Sequence, residues 1–255
     1  ARAQAVDPTF AIDESNAADV ADLCRRLDGL PLAIELIAAQ AETLTPGEMR
    51  SQMAARLPAL VDGPRDLPAR QRTLRAAIGW SVDRLSAWER HVFGRLGVFS
   101  GGASLDGLRV VLAGHEGVAP EIDSEALDDA LDVLVEASIV YRGGSTDGDA
   151  RFYQLETVRE FAQEVLLGSG TDLAARQRHA AFFEALATER RKHLAGDGQT
   201  AWYARVDDDL DNIRSALSWR LRQSDAGAAL RMTSGLYHYW WQRGLAAEGL
   251  GWFES

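Results

Sequence analysis

In "ESNAADVADLCRRLDGLPLAIELIAAQAETL" apolar positions recur every three or four residues, with one interruption. Val20, Leu23, Cys24 and Leu27 share a helical face behind a Ser15 or Asn16 cap, and Gly29 stands where that helix must stop. The next helix opens on Pro31, whose missing N–H needs no partner at a first helical position. It is apolar nearly all round, at Leu32, Ile34, Leu36 and Ile37, which predicts the centre of a small bundle rather than a surface helix. A third helix follows in "TPGEMRSQMAARL", where Thr45 and Glu48 form a capping box around Pro46, and its stop is expected near Pro58.

Residues 58–71, "PALVDGPRDLPARQ", read as a connector because their prolines and glycine break any periodic pattern. Beyond them the spacing predicts two helices, "RTLRAAIGWSVDRL" and "SAWERHVFGRLGVF", the second capped by Ser86 with Glu89. Short helices near Leu105–Leu112 and at Ser124–Glu136 follow. The period then changes: "SIVYRGGSTDGDARFYQL" sets a β-branched and aromatic run and a second aromatic run around a Gly/Ser/Asp turn, which predicts a hairpin. The helix after it, "ETVREFAQEVLL", lines up Val158, Phe161, Ala162 and Val165. Helices, a hairpin and a closing helix in this order predict a winged-helix variant.

From residue 171 the pattern is helical to the end, over 171–194, 198–206, 208–222, 225–243 and 245–254. Trp219 and Trp252 sit in similar settings at a spacing close to the repeat of ~34 residues seen in tetratricopeptide (TPR) arrays. The expected fold class is mainly α. Residues 1–60 form a small helical bundle, 70–167 a winged-helix domain with one β-hairpin, and 171–255 the start of a TPR-like α-solenoid.

Charge narrows the possible partners. The chain has 27 basic and 38 acidic residues, a formal net charge of −11, and its only lysine is Lys192. Nucleic acid is a poor default partner for such a surface, since phosphate binding relies on clustered Lys and Arg. Residues 72–166 hold nine arginines against sixteen acids, a net −7. The helix before the hairpin, where a DNA-reading helix would lie, carries Asp123, Glu125, Asp128, Asp129, Asp132 and Glu136 and no base. A groove lined by phosphates would repel it, so no direct nucleic acid binding is expected of this segment.

No apolar run approaches the roughly 18–20 residues that cross a bilayer, and the single Cys24 cannot form an internal disulfide; no membrane partner and a cytoplasmic, reducing location are expected. The opening "ARAQAVDPTF" lacks an initiator Met and a signal-peptide plan, and reads as the start of a fragment from a longer protein.

Catalytic signatures are missing. A P-loop needs a glycine-rich turn leading into Lys–Ser or Lys–Thr, and here the only lysine sits in "ERRKHLAG". GxSxG, HExxH and CxxC are also absent. His91, His115, His179, His193 and His238 are scattered without ligand spacing and read as structural, and Cys24, on the apolar face of its helix, reads as core rather than nucleophile. Asp207, Asp209 and Asp211 alternate as in a calcium loop, but Asn212 and Ser218 stand where Gly and Glu are needed; these acids read instead as complements to the dipole of helix 208–222. In "YHYWWQRG", Leu236, Tyr239, Trp240 and Arg243 fall on one face, which points to core packing before ligand stacking. No catalytic residue, no metal site and no enzyme activity are expected of this chain.

The succession "CRRLDGLPLAIEL" (24–36), "LPARQRTLRAAIGWSVDRLSAWERHVFGRLGVFSGG" (67–102), "YQLETVREFA" (153–162) and "DLDNIRSAL" (209–217) resembles the middle of STAND-class (NB-ARC-like) signalling ATPases, of the bacterial type often fused to transcriptional activators. The resemblance covers most of residues 17–255. It implies a P-loop nucleotide-binding domain upstream of Ala1 as a partner, with ATP or ADP and Mg²⁺ as cofactors of the parent protein and none in this segment. It implies a protein or small-molecule signal on the TPR-like repeats. In the family the GLPL proline packs on adenine, which maps onto Pro31, with Gly29 and Leu30 shaping the approach. A family Met-His-Asp motif maps onto Gln154, Leu155 and Glu156: Leu155 replaces the histidine that meets the β phosphate, and Glu156 is expected to be structural, capping its own helix. The implied role is regulatory, coupling nucleotide state to the sensor repeats. A DNA-binding winged helix and a TPR-type interaction scaffold are the rival readings.

Overall fold

A computed structural model of the chain describes residues 2–27, 29–60, 69–113, 123–145, 149–189 and 197–254. Most of the connector read at 58–71, the tip of the hairpin turn, Lys192, His115 and His193 lie outside the described residues. The fold is mainly α with one small antiparallel sheet. By contacts it falls into two compact units: one of residues 1–93, 124–141 and 154–161, the other of 94–123, 142–153 and 162–255. The segment read as a winged helix, 70–167, contributes to both.

The first unit begins with α1 (Arg2–Val6), α2 (Ala17–Arg26), α3 (Pro31–Ala38) and α4 (Pro46–Leu60). Asn16 occupies the N-cap of α2, but its side chain does not cap. Asn16 Oδ1 accepts from Asp13 N and its amide donates to Ala11 O, so it braces the preceding loop instead. Gly29 ends the helix at φ +64, a left-handed conformation that costs glycine nothing, with its N–H on Cys24 O at 3.0 Å. Leu30 is the extended N-cap of α3 and Pro31 its first residue. Ala33, Leu36 and Ile37 are buried, against α1 and α5 (Ala69–Val82).

Both expected capping boxes form. Thr45 N donates to Glu48 Oε2 at 2.8 Å and Glu48 N to Thr45 Oγ1 at 3.3 Å, and Ser86 and Glu89 repeat the exchange at 2.8 and 3.2 Å at the start of α6 (Ala87–Leu96). α4 continues to Leu60, a little past the stop expected near Pro58, within the usual spread of helix ends. α8 (Ser124–Glu136) adds Leu127, Ala130, Leu131 and Leu134 to this unit's core, and Arg2 caps its C-terminus, donating to Glu136 O at 2.6 Å.

The second unit is built around a sheet of order β1-β3-β2, from β1 (Ala103–Ser104), β2 (Tyr141–Gly144) and β3 (Ala150–Tyr153). The single hairpin read from sequence therefore gains a third strand. β1 pairs antiparallel with β3, Ala103 opposite Phe152 and Ser104 opposite Arg151, and Ser104 then caps α7 (Leu105–Leu112) through Gly107 N at 3.2 Å. α9 (Glu156–Gly168) follows the hairpin.

The tail of the chain comprises α10 (Asp172–Glu189), α11 (Asp197–Asp208), α12 (Leu210–Arg222), α13 (Ala226–Gln242) and α14 (Ala246–Glu254). α10 is the hub, packing on α7, α12 and α13. At Gly235 of α13 an added Cβ would lie 2.3 Å from Ala187 O of α10, so the two backbones meet closer than any side chain allows.

Candidate functional site

The joint between α2 and α3 opens one side of the first unit into a cavity of about 530 Å³. Its floor and walls are apolar, from Leu23, Leu27, Ile34, Ile37 and Met49, with Phe10, Ile12 and Val20 bringing the preceding loop and helix to it. Gly29 and Pro31 line it and are exposed at its mouth. The left-handed Gly29 and the extended Leu30 turn the chain so that the Pro31 ring faces this space while α3 starts without an unsatisfied N–H. A concave apolar surface of this size with few polar groups is the usual form of a small-ligand site.

Of the residues singled out by resemblance, the structure brings Gly29 and Pro31 to the cavity wall, while Leu30 is not among its lining residues. Leu155 and Glu156 do not line it either. Leu155 is 46% exposed, and Gln154 has both amide atoms shielded without a hydrogen-bond partner. Glu156 opens α9, but its carboxylate binds the Arg159 guanidinium, one turn on, instead of a backbone N–H. That pairing holds the Glu156 carboxyl below its ordinary pKa and raises Arg159. Cys24, half-buried, also lines the cavity, a placement that its helical face predicted without the cavity itself.

A second site lies in the other unit, and sequence reading missed it. Arg151 of β3 donates to Asp209 Oδ1 at 2.5 Å and to Gly102 O at 3.1 Å, and the two charged side chains are only 4% and 5% exposed. Asn212 completes the cluster, donating to Asp209 Oδ1 at 3.0 Å and Gly102 O at 2.8 Å while its Oδ1 accepts from Ser100 N at 2.7 Å. Sheet, loop and α12 are thus tied at one point by the Asp and Asn of "DLDN". Asp209 at the N-cap and Asp211 in the first turn of α12 stand where acids complement the helix dipole, but Asp209 is also one half of a buried ion pair, and Asp207 falls in the last turn of α11 instead. The other two acids of the run diverge, Asp207 to Tyr239 and Arg243, Asp211 to Arg214.

His179 of α10 abuts the same cluster, Nε2 lying 3.4 Å from Asn212 Oδ1, and packs between Phe99 and Phe183 with ring centroids at 5.0 and 4.7 Å. Burial pushes its pKa down to about 4 against the opposing effect of the Asn212 hydrogen bond, so the ring is neutral and donates from Nε2. Farther along, Leu236, Tyr239 and Trp240 are buried as their spacing predicted, whereas Arg243 of the same stripe is exposed and pairs with Asp207.

Among the described residues no group of three His, Cys, Asp or Glu is arranged to hold a metal ion, and no helix is long and apolar enough to cross a membrane. Fold and sites define a mainly helical chain with a small antiparallel sheet, an apolar cavity at a helix joint and a buried polar tie. No family model matches it. Along its whole length it is 37% identical to a Mycobacterium tuberculosis protein named "Putative HTH-type transcriptional regulator" and equally to its Mycobacterium bovis counterpart, of each of which it covers 28%. A Mycobacterium tuberculosis protein named "Uncharacterized protein" is 34% identical over 198 residues, 78% of this chain and 46% of that one. The chain is thus homologous to part of longer proteins named as transcriptional regulators, and spans less than half the length of either kind of relative.

Proposed function

We propose that this chain is the regulatory segment of a STAND-class signalling ATPase belonging to a transcriptional regulator. It contributes one wall of an adenine pocket and couples nucleotide state to a helical sensor, and it catalyses nothing itself. The cavity at the GLPL joint supports this reading: Pro31 stands at its mouth, apolar residues lie behind it, and it has room for a planar base. Phosphates and Mg²⁺ would be held by a P-loop domain outside this chain, because the chain offers no lysine in a glycine-rich turn. With Leu155 exposed where the family has its histidine, the closed state would be held by packing rather than by a side chain on the β phosphate. Calorimetry tests the division of labour. ADP should bind the 255-residue chain only weakly and a longer protein with the upstream domain tightly; tight binding by the chain alone would overturn it.

The relatives' names favour a second reading, direct DNA binding. The five acids of α8, the expected reading helix, and Asp123 just before it are all exposed, so its outer face carries negative charge and no base. The proposal therefore places DNA contact elsewhere in the parent protein. A gel shift at low salt should show no complex with this chain; sub-micromolar binding would favour the second reading.

A further inference from the structure

We infer that Glu35 selects the base in the GLPL cavity by accepting a hydrogen bond from the 6-amino group of adenine. The inference rests on the adenine reading of that cavity.

Glu35 lies four residues after Pro31 on α3, hence on the same helical face one turn farther along, and both line the cavity and are exposed at its mouth. Among the described residues no hydrogen bond or ion pair engages its carboxylate, and it is the one acid that lines this largely apolar cavity. The other charged lining residue, Arg2, is spent on the carbonyls of Val135 and Glu136.

An ionised carboxylate only accepts hydrogen bonds. A base stacked on the Pro31 ring presents its edge to the next turn of α3, where that acceptor stands. Adenine offers an N–H donor at position 6; hypoxanthine and guanine place a carbonyl oxygen there, whose lone pairs would face the negative charge. The device therefore combines attraction for adenine with repulsion of the 6-oxo bases. Charged hydrogen bonds at a partly exposed site give a discrimination of about tenfold.

Cys24 lines the same cavity and is the only thiol, so its rate of labelling by iodoacetamide reports occupancy in the chain itself. Adenosine at its Kd should slow labelling about twofold, because half the sites are then filled. Inosine and guanosine should need about tenfold higher concentration for the same protection. In Glu35→Gln the amide both accepts and donates, and in Glu35→Ala the group is gone; each should bring adenosine and inosine within about twofold of each other, with circular dichroism unchanged. Equal protection by adenosine and inosine in the wild type, or guanosine protecting best, overturns the role of Glu35 and leaves the pocket intact. No protection by any nucleoside overturns the pocket reading beneath it.

Discussion

Replacing Asp209 by alanine tests whether the buried tie holds the second unit together. In the native chain its carboxylate lies 2.5 Å from the Arg151 guanidinium, and both side chains are almost wholly out of water. Without it, Arg151 loses its only counter-ion among the described residues and keeps the Gly102 carbonyl and the neutral Tyr153 side chain, and its charge stays buried in the strand. Breaking a buried pair in this way costs about 3–5 kcal/mol, because the orphaned ion is desolvated without compensation. At ~2–4 °C per kcal/mol for a unit of this size, the melting temperature should fall by about 6–20 °C. Tryptophan fluorescence suits the measurement, since Trp202, Trp219, Trp240, Trp241 and Trp252 all lie in this unit, and urea unfolding gives the free energy. Arg151→Met combined with Asp209→Leu should recover more than half of the loss, because two apolar groups leave no charge behind. A loss under about 1 kcal/mol for Asp209→Ala would refute the reasoning and mean that water reaches Arg151.

Two further outcomes follow from the packing. His179 titrates at about 4 when folded against 6.5 in the open chain, so its contribution to stability is complete above pH 6.5 and is lost as pH falls toward 4. The loss should reach ~3 kcal/mol, and a His179→Gln variant, checked by urea unfolding from pH 7 to 4, should show a correspondingly flatter profile. Gly235→Ala forces α10 and α13 apart at Ala187 O and should cost ~1–3 kcal/mol in the same assay, whereas a neutral effect would mean the helices are not in close contact.

Local rules were enough for much of the fold. The capping boxes at Thr45 and Ser86, the Gly29 stop and the Pro31 start depend on neighbours within a turn, and α7 and α8 fall where their apolar spacing put them. β1 escaped notice because two residues after a glycine pair carry no alternation; only their pairing with β3, far along the chain, makes them a strand. The Arg151–Asp209 tie escaped for a similar reason. Each charge looks solvent-facing alone, and the partners are 58 residues apart. The one signal available was an arginine beside the aromatic pair Phe152 and Tyr153 in a segment read as a strand. At the cavity, the GLPL joint was legible as a turn, but the apolar hollow behind it forms only when Phe10, Ile12 and Met49 arrive from other segments.

Nucleotide affinity of the longer parent protein with Pro31→Ala is the most direct test of the proposed function. If the Pro31 ring covers one face of adenine, burying roughly 50 Å² at ~25 cal/mol per Å², its removal costs about 1.3 kcal/mol. ADP should then bind about tenfold more weakly by calorimetry, with the fold unchanged. Unaltered ADP affinity in the folded variant would contradict the assignment of this cavity to adenine.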